Sequence, residues 1–284
     1  MCRHLFLLLI FLSLSVVSPV YAGTDESGPS AYERGDYAQA VKEFRGLADL
    51  GDAKAQLHLA YMYDVGQGVK ENQTEAMKWY LKAAEQGLDR AELALGMKYA
   101  GGIGIPKDYS KAIKWYTRSA EHGLPEAQCD LGLMYSQGRG VTQNKSEAVR
   151  WYRKAAEQGY DMAQCNLGLM YARGEGVAQD CAEAVKWFQK AAEQGYVKAQ
   201  HNLGVAHQKG DGVPVDLQSA YMWFHLAAAQ GDSDAKSQID ALTRQMTPAQ
   251  IAEAQRLAAE WKPTVQNKQD FFSTIPMERR FSND

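Results

Sequence analysis

The chain of 284 residues contains little of what disulfide-stapled, membrane-spanning or nucleic-acid-binding proteins depend on. It has four cysteines, no apolar run long enough to span a bilayer, and no surplus of basic residues, since its formal net charge is −3. This weakly acidic balance gives no electrostatic reason to expect nucleic acid or an anionic membrane as a partner. The composition is that of an ordinary globular chain.

The longest apolar run lies at the N-terminus. It extends from Leu5 to Val17, follows a basic start at Arg3, and is followed by small residues near Ala22. A bilayer span needs about 20 residues, which is more than this run provides. The pattern predicts a secretory signal peptide over residues 1–22, export to the periplasm or the medium, and no membrane insertion after cleavage. The alternative is an uncleaved anchor.

What the chain does have is a period of 36 residues. The tryptophans that mark it are Trp79, Trp115, Trp151, Trp187 and Trp223. The turn glycines that keep the same register are Gly66, Gly102, Gly138, Gly174 and Gly210. A fixed period in this range is typical of a solenoid, in which each unit buries its apolar face against its neighbours. We therefore interpret the tryptophans as core residues rather than as an aromatic ligand box.

Each copy contains the pattern of two helices joined by a turn. In the fourth copy, residues 162–172 carry apolar and small residues at helical spacing, and Gly168 predicts a close approach of two helices. Gly174 ends the first helix, and Asp180 is the predicted N-cap of the second. The sequence thus predicts an all-α fold, an α/α superhelical solenoid of helix-turn-helix repeats of 36 residues.

The decay of the pattern at both ends predicts the domain organisation. The segments are a signal peptide (1–22), a linker (23–30), an N-terminal capping half-repeat (31–50), five repeats (51–230), C-terminal capping helices (231–262) and a tail (263–284). A capping box at Thr247 begins the last helix, Pro248 to Trp261. The tail has no clear period; it is either disordered or docks on the end of the stack through Phe271, Phe272 and Phe281.

The repeated motif is Ala-Gln-x-x-Leu-Gly-x-x-Tyr-x-x-Gly-x-Gly-Val, then Asp or Asn, then Ala-x-x-Trp-Tyr/Phe-x-x-Ala-Ala-Glu-x-Gly, most complete at Ala163 to Gly195. It resembles the Sel1-like repeat over about residues 31–262. The resemblance implies a right-handed superhelix similar to tetratricopeptide arrays and an adaptor or scaffold role. Secreted bacterial members are often linked to envelope signalling or host interaction. Cysteine-rich members, some of which bind β-lactams, pair cysteines eight residues apart, a spacing that this chain lacks.

The sequence lacks the motifs that are typical of metal sites and of catalytic nucleophiles. Cys129, Cys165 and Cys181 would remain after cleavage, and we interpret them as free thiols in apolar surroundings. No His-Glu-x-x-His, Cys-x-x-Cys, nucleophile elbow or phosphate loop occurs, so we expect no metal, no cofactor and no enzyme activity. Ser233-Asp-Ala-Lys236 has the spacing of a serine nucleophile in β-lactam-acting enzymes but lacks the companion motifs. Asn72 and Asn144 lie in glycosylation sequons that coincide with predicted helix caps.

One set of positions on the first helices is the candidate binding site. His58, Asp130, Asn166 and Asn202 recur three residues after the repeat alanine, and Met134 and Met170 follow four residues later. By resemblance to helical-repeat scaffolds, the first helices line the concave surface. Asn and Asp side chains there could bond the backbone of a bound peptide, and Met side chains supply adaptable apolar contacts. The alternative is a solvated helix face.

The sequence therefore predicts an exported, non-enzymatic adaptor that binds a protein or peptide along its concave face. Two other functions stay open. One is a cell-envelope enzyme or small-molecule binder related to peptidoglycan or β-lactams, and the other is a purely structural role.

Overall fold

The computed structural model describes residues 31–264, which divide into two compact units, residues 31–83 and 84–264. All regular elements between residues 31 and 264 are helices. The predicted signal peptide and linker, and the tail from residue 265 onward, lie outside the described residues. None of the described helices is long and apolar enough to cross a membrane.

Three helices with defined bounds begin in unit 1, after a short helical segment at residues 31–33. They are α1 (Tyr37–Asp49), α2 (Ala53–Val65) and α3 (Gln73–Glu85), of which the residues up to Ala83 belong to this unit. Helix α1 packs against α2 and occupies the place of the predicted capping helix. The ring of Phe44 on α1 stacks on that of His58 on α2, with centroids 4.8 Å apart.

Unit 2 is a run of helix pairs. Its helices are α4 (Asp89–Gly101), α5 (Tyr109–Glu121), α6 (Pro125–Gln137), α7 (Lys145–Glu157), α8 (Asp161–Arg173), α9 (Cys181–Glu193), α10 (Val197–Lys209), α11 (Leu217–Ala229), α12 (Ser233–Thr243) and α13 (Pro248–Glu260). Each even-numbered helix from α4 to α10 packs on the next, and α5, α7 and α9 pack on the first helix of the following pair. Helix α11 packs against both α12 and α13. The predicted class, an all-α solenoid of helix-turn-helix repeats, is confirmed.

The helix boundaries follow from local hydrogen bonding. The predicted N-caps Asn72, Asp108, Asn144, Asp180 and Asp216 each accept a backbone N–H three residues ahead through the side-chain oxygen. Gly174 ends α8 with φ 66°, a left-handed conformation that glycine adopts without a Cβ penalty. The predicted capping box at Thr247 is also present at the start of α13.

Glycine inside the first helices permits the close approach that the sequence predicted. A Cβ on Gly168 would lie 2.6 Å from Cε1 and 2.7 Å from Cδ1 of Phe188, and 3.1 Å from the Ala184 carbonyl oxygen. Real Cβ atoms do not approach neighbours so closely, so α8 and α9 could not pack at this distance around an alanine.

The tryptophan prediction is confirmed for three of the five side chains. Trp79, Trp187 and Trp223 are buried, whereas Trp115 and Trp151 are half-buried. The exposed part of the Trp151 indole is covered by a lysine, whose Lys154 Nζ lies 4.0 Å from the ring centroid. In the first four copies the tryptophan ring thus has the charged group of a basic side chain over one face.

A buried carboxamide ties successive helices together. The glutamine of each Ala-Gln pair donates its Nε2 hydrogen to an alanine carbonyl oxygen eight residues earlier, at 3.1–3.4 Å, in four copies. These pairs are Gln56 with Ala48, Gln128 with Ala120, Gln164 with Ala156, and Gln200 with Ala192. In unit 2 the Oε1 atoms of the last three accept from Gln158, Gln194 and Gln230 at 2.8–2.9 Å. Each carboxamide thus adds a second donor to a helix-end carbonyl oxygen that also accepts a backbone N–H from the glycine three residues ahead.

The second copy replaces this glutamine by Glu92, which is fully buried and has no donor when ionised. Arg118 supplies the missing donor, because its Nη2 atom bonds the Ala84 carbonyl oxygen at 3.2 Å and lies 2.9 Å from Glu92 Oε1. His122 Nδ1 lies 3.0 Å from Glu92 Oε2. Burial raises the pKa of the Glu92 carboxyl, and the charges of Arg118 and His122 oppose that rise.

We expect Gly168→Ala to lower the free energy of unfolding by about 1–3 kcal/mol, because the new methyl group overlaps the Phe188 ring. Urea unfolding followed by circular dichroism measures the change. Gly46→Ala is the control, since a Cβ at Gly46 meets nothing within 4 Å inside α1. That control should gain up to about 1 kcal/mol from helix propensity. A Gly168→Ala protein as stable as the wild type would contradict the close packing of α8 and α9.

We expect Glu92→Gln to become increasingly stabilising relative to the wild type as the pH rises from 4 to 7. A carboxyl whose pKa is raised by folding contributes stability below its unfolded pKa, and that contribution is lost as the pH rises through the folded pKa. Glutamine does not titrate, so the variant escapes this loss. Urea midpoints across the pH range measure it, with the exposed Glu121→Gln as the control. Parallel curves for Glu92→Gln and wild type would contradict the assignment.

Candidate interaction surface

The six predicted binding residues do not form one open row. Asp130, Met134 and Met170 are buried, with 1%, 0% and 6% of their surface exposed. The prediction of solvent-facing side chains was wrong for these three. Asn166 and Asn202 are half-buried, so part of each side chain remains accessible on α8 and α10.

The packing of neighbouring first helices explains the difference. The Asn166 amide donates from Nδ2 to Cys129 Sγ at 3.8 Å, and the Asn202 amide donates to Cys165 Sγ at 3.6 Å. Since each asparagine and its cysteine lie on successive first helices, this position faces the seam between those helices. Met170 enters the same core cluster as Cys129 and Trp187.

His58 is half-buried on α2. Its ring stacks on Phe44 within unit 1, and burial lowers the pKa of the imidazole to about 4. The ring is therefore neutral at physiological pH and belongs to the packing of α1 on α2. The sequence signal for this was Phe44 itself, which occupies the aromatic position of the preceding half-repeat.

The three cysteines of the described chain are free thiols, as predicted. Cys129 and Cys165 are buried in the core, and Cys181 is half-buried at the start of α9. Burial raises the pKa of the Cys165 thiol to about 12, and the hydrogen bond from Asn202 opposes that shift. A thiol that stays protonated is a weak nucleophile. We therefore interpret Cys165 as a core residue rather than as a reactive cysteine.

A narrower surface remains, which we call the first-helix face. It consists of Met162, Asn166 and Leu169 on α8 and Asn202 and Val205 on α10, all half-buried. The spacing of three and four residues places the α8 members on one side of that helix. The apolar members were missed from the sequence, although Leu133, Leu169 and Val205 recur three residues after the Asp/Asn position.

The other candidate sites of the sequence have no supporting geometry. Ser233 and Lys236 are exposed at the start of α12, where the Asp232 side chain caps the helix by accepting from Asp234 and Ala235. Within residues 31–264, no group of three or more His, Cys, Asp or Glu side chains is arranged to hold a metal ion.

A family model and one solved structure agree with this architecture. A family model described as Sel1 repeat matches residues 53–88, 89–124, 125–160, 161–196 and 197–232. A Sel1 repeat protein from Oxalobacter formigenes is 33% identical with a TM-score of 0.72, over 83% of this chain and 98% of that one. A protective antigen present in uropathogenic Escherichia coli strains, displaying an SLR fold, is 34% identical with a TM-score of 0.47, over 78% of this chain and 56% of that one.

A putative Sel1 repeat protein from Klebsiella pneumoniae is 22% identical with a TM-score of 0.46, over 72% of this chain and 99% of that one. Comparison with curated proteins found no match. Five matched repeats and the Oxalobacter structure together establish the family. The chain belongs to the Sel1 repeat family, whose members generally act as scaffolds for protein–protein interaction.

Proposed function

We propose that the chain is an exported adaptor that binds an extended segment of a partner protein through its first-helix face. The single observation that carries the proposal is that two asparagine amides have hydrogen-bonding groups left unused. Asn166 and Asn202 each make one weak N–H···S hydrogen bond. Within the described residues, the carbonyl oxygen and the second N–H of each amide have no hydrogen-bond partner.

An asparagine amide with a free donor and a free acceptor matches a peptide group. The carbonyl oxygen accepts a backbone N–H, and the amide N–H donates to a backbone C=O. The thiol beneath each amide holds it in place, so less rotamer freedom is lost on binding than for a mobile surface side chain. Two such amides in neighbouring repeats can bond one extended peptide at two points.

The apolar neighbours would supply the remaining contact area. Leu169 and Val205 are the half-buried residues that follow each asparagine by three, and Met162 precedes Asn166 by four. Contact with a partner would remove apolar surface from water, at roughly 25 cal/mol per Å² of buried area. Backbone bonds from the amides combined with apolar pockets resemble the way extended peptides are bound elsewhere.

Export and the site of action belong to the same proposal. The predicted signal peptide over residues 1–22 supports secretion into the periplasm or beyond. The partner would then be a protein of the envelope or outside the cell.

We expect Asn166→Ala with Asn202→Ala to weaken partner binding by about tenfold or more. Loss of two to four hydrogen bonds, each contributing about 0.5–1.5 kcal/mol, accounts for that factor. The partner is first isolated by capture from an envelope extract on the mature protein. Its dissociation constant is then measured against wild type and variant by titration calorimetry.

Gln143→Ala with Gln179→Ala is the matched control. These residues are also carboxamides 36 apart in neighbouring repeats, but they are exposed on loops and bond the Ser136 and Ala172 carbonyl oxygens. The control should bind as tightly as wild type. If the asparagine variant is folded by circular dichroism and binds as tightly as wild type, the first-helix face is not the binding site.

A further inference from the structure

We infer that a cavity at the C-terminal ends of α7 and α9, in unit 2, binds the free N-terminus of a peptide. The cavity has a volume of about 480 Å³, and its lining includes Glu157, Gln158, Trp187, Lys190, Glu193 and Gln194. That volume is within the range of pockets that hold small molecules and short peptides. The site is distinct from the first-helix face, because it is built largely from second helices.

The segment after α13 forms one wall. The Trp261 ring packs edge-on to Trp223 with centroids 6.2 Å apart, and a Cβ on Gly195 would lie 3.8 Å from Cβ of Pro263. Thr264 then donates its backbone N–H to the Glu193 carbonyl oxygen at 2.7 Å, at the end of α9. Backbone from outside the repeats therefore already pairs with the rim of this cavity.

The charges around the cavity favour a cation. Glu157 and Glu193 contribute two carboxylates and Lys190 one ammonium, and none of the three has an ion-pair partner within residues 31–264. The C-terminal ends of α7 and α9 add roughly half a negative charge each. An additional ammonium group would balance this surplus.

Two buried polar atoms without a partner in the described chain lie in residues that line the same cavity. They are the donor Nε1 of Trp187 and the acceptor Oε1 of Gln194. Trp187 is 9% exposed, and Lys190 Nζ lies over its ring at 4.2 Å from the centroid. A buried polar atom without a partner is unfavourable, so a ligand that bonds both atoms relieves that cost.

A peptide N-terminus offers the complementary set of groups. Its α-ammonium can donate to Gln194 Oε1 and pair with Glu157, and its first carbonyl oxygen can accept from the Trp187 indole. The exposed Lys190 side chain lies over the indole, and its rotation would make the Trp187 ring accessible to a ligand. A lysine side chain presents the ammonium without the adjacent carbonyl, and an acetylated peptide presents the carbonyl without the charge.

The test is titration calorimetry on the full chain at low ionic strength with three probe peptides. They are tetraglycine amide, its N-acetylated form, and N-acetyl-Gly-Gly-Lys-Gly-Gly amide. We expect tetraglycine amide to bind at least about tenfold more tightly than the other two. We expect Glu157→Gln, which removes the charge, and Trp187→Phe, which keeps a ring but removes the N–H, each to weaken its binding about tenfold.

Glu121→Gln and Trp151→Phe are the matched controls, because they occupy the same positions one repeat earlier, outside the lining of the cavity. They should leave the affinity unchanged, and thermal unfolding checks that all four variants are folded. Equal binding of the acetylated or the lysyl peptide would overturn the inference. So would no binding of tetraglycine amide, or an equal loss of affinity in the control variants.

Discussion

The structure depends on how closely the two helices of a repeat approach one another. Where Gly168 meets Phe188, the absence of a Cβ lets an aromatic ring lie directly on helix backbone. The same contact recurs at Gly132 with Tyr152 and at Gly204 with Phe224. Because the helices of each hairpin are held at this short distance, successive copies can present equivalent faces for stacking.

Most of the fold could be predicted because each position of the repeat occurs in several copies, so its residue type can be compared between them. A single Gly168 or Asp180 would be ambiguous, but its recurrence at a fixed period identifies a packing glycine or a helix cap. The candidate site was harder to predict from the sequence. Successive residues of a helix are rotated by about 100°, so a side chain can face a neighbouring helix or solvent within one step along the chain. Asp130 and Met134 therefore point into a seam between helices instead of toward solvent, which spacing alone does not distinguish.

Departures from the repeat were the least predictable part. Glu92 is at a glutamine position, and Arg118 is at a position where three of the other four copies have lysine. Only the structure shows that the two changes belong together, since Arg118 takes over the bond to Ala84 that glutamine makes elsewhere. The segment from Trp261 to Thr264 is likewise outside the repeat pattern, and Thr264 contributes to the lining of the cavity at the ends of α7 and α9.

The exchange at Glu92 limits how this chain can be rearranged. Repeat proteins grow and shrink by duplication and loss of whole or partial units, and most helices here are interchangeable in their buried polar groups. Helix α4 is not, because its carboxylate needs the guanidinium of α5. A recombination that separated α4 from α5 would leave the buried carboxylate of Glu92 without the Arg118 guanidinium. A rearranged array would therefore keep the Glu92 charge compensated only where α4 and α5 stay together.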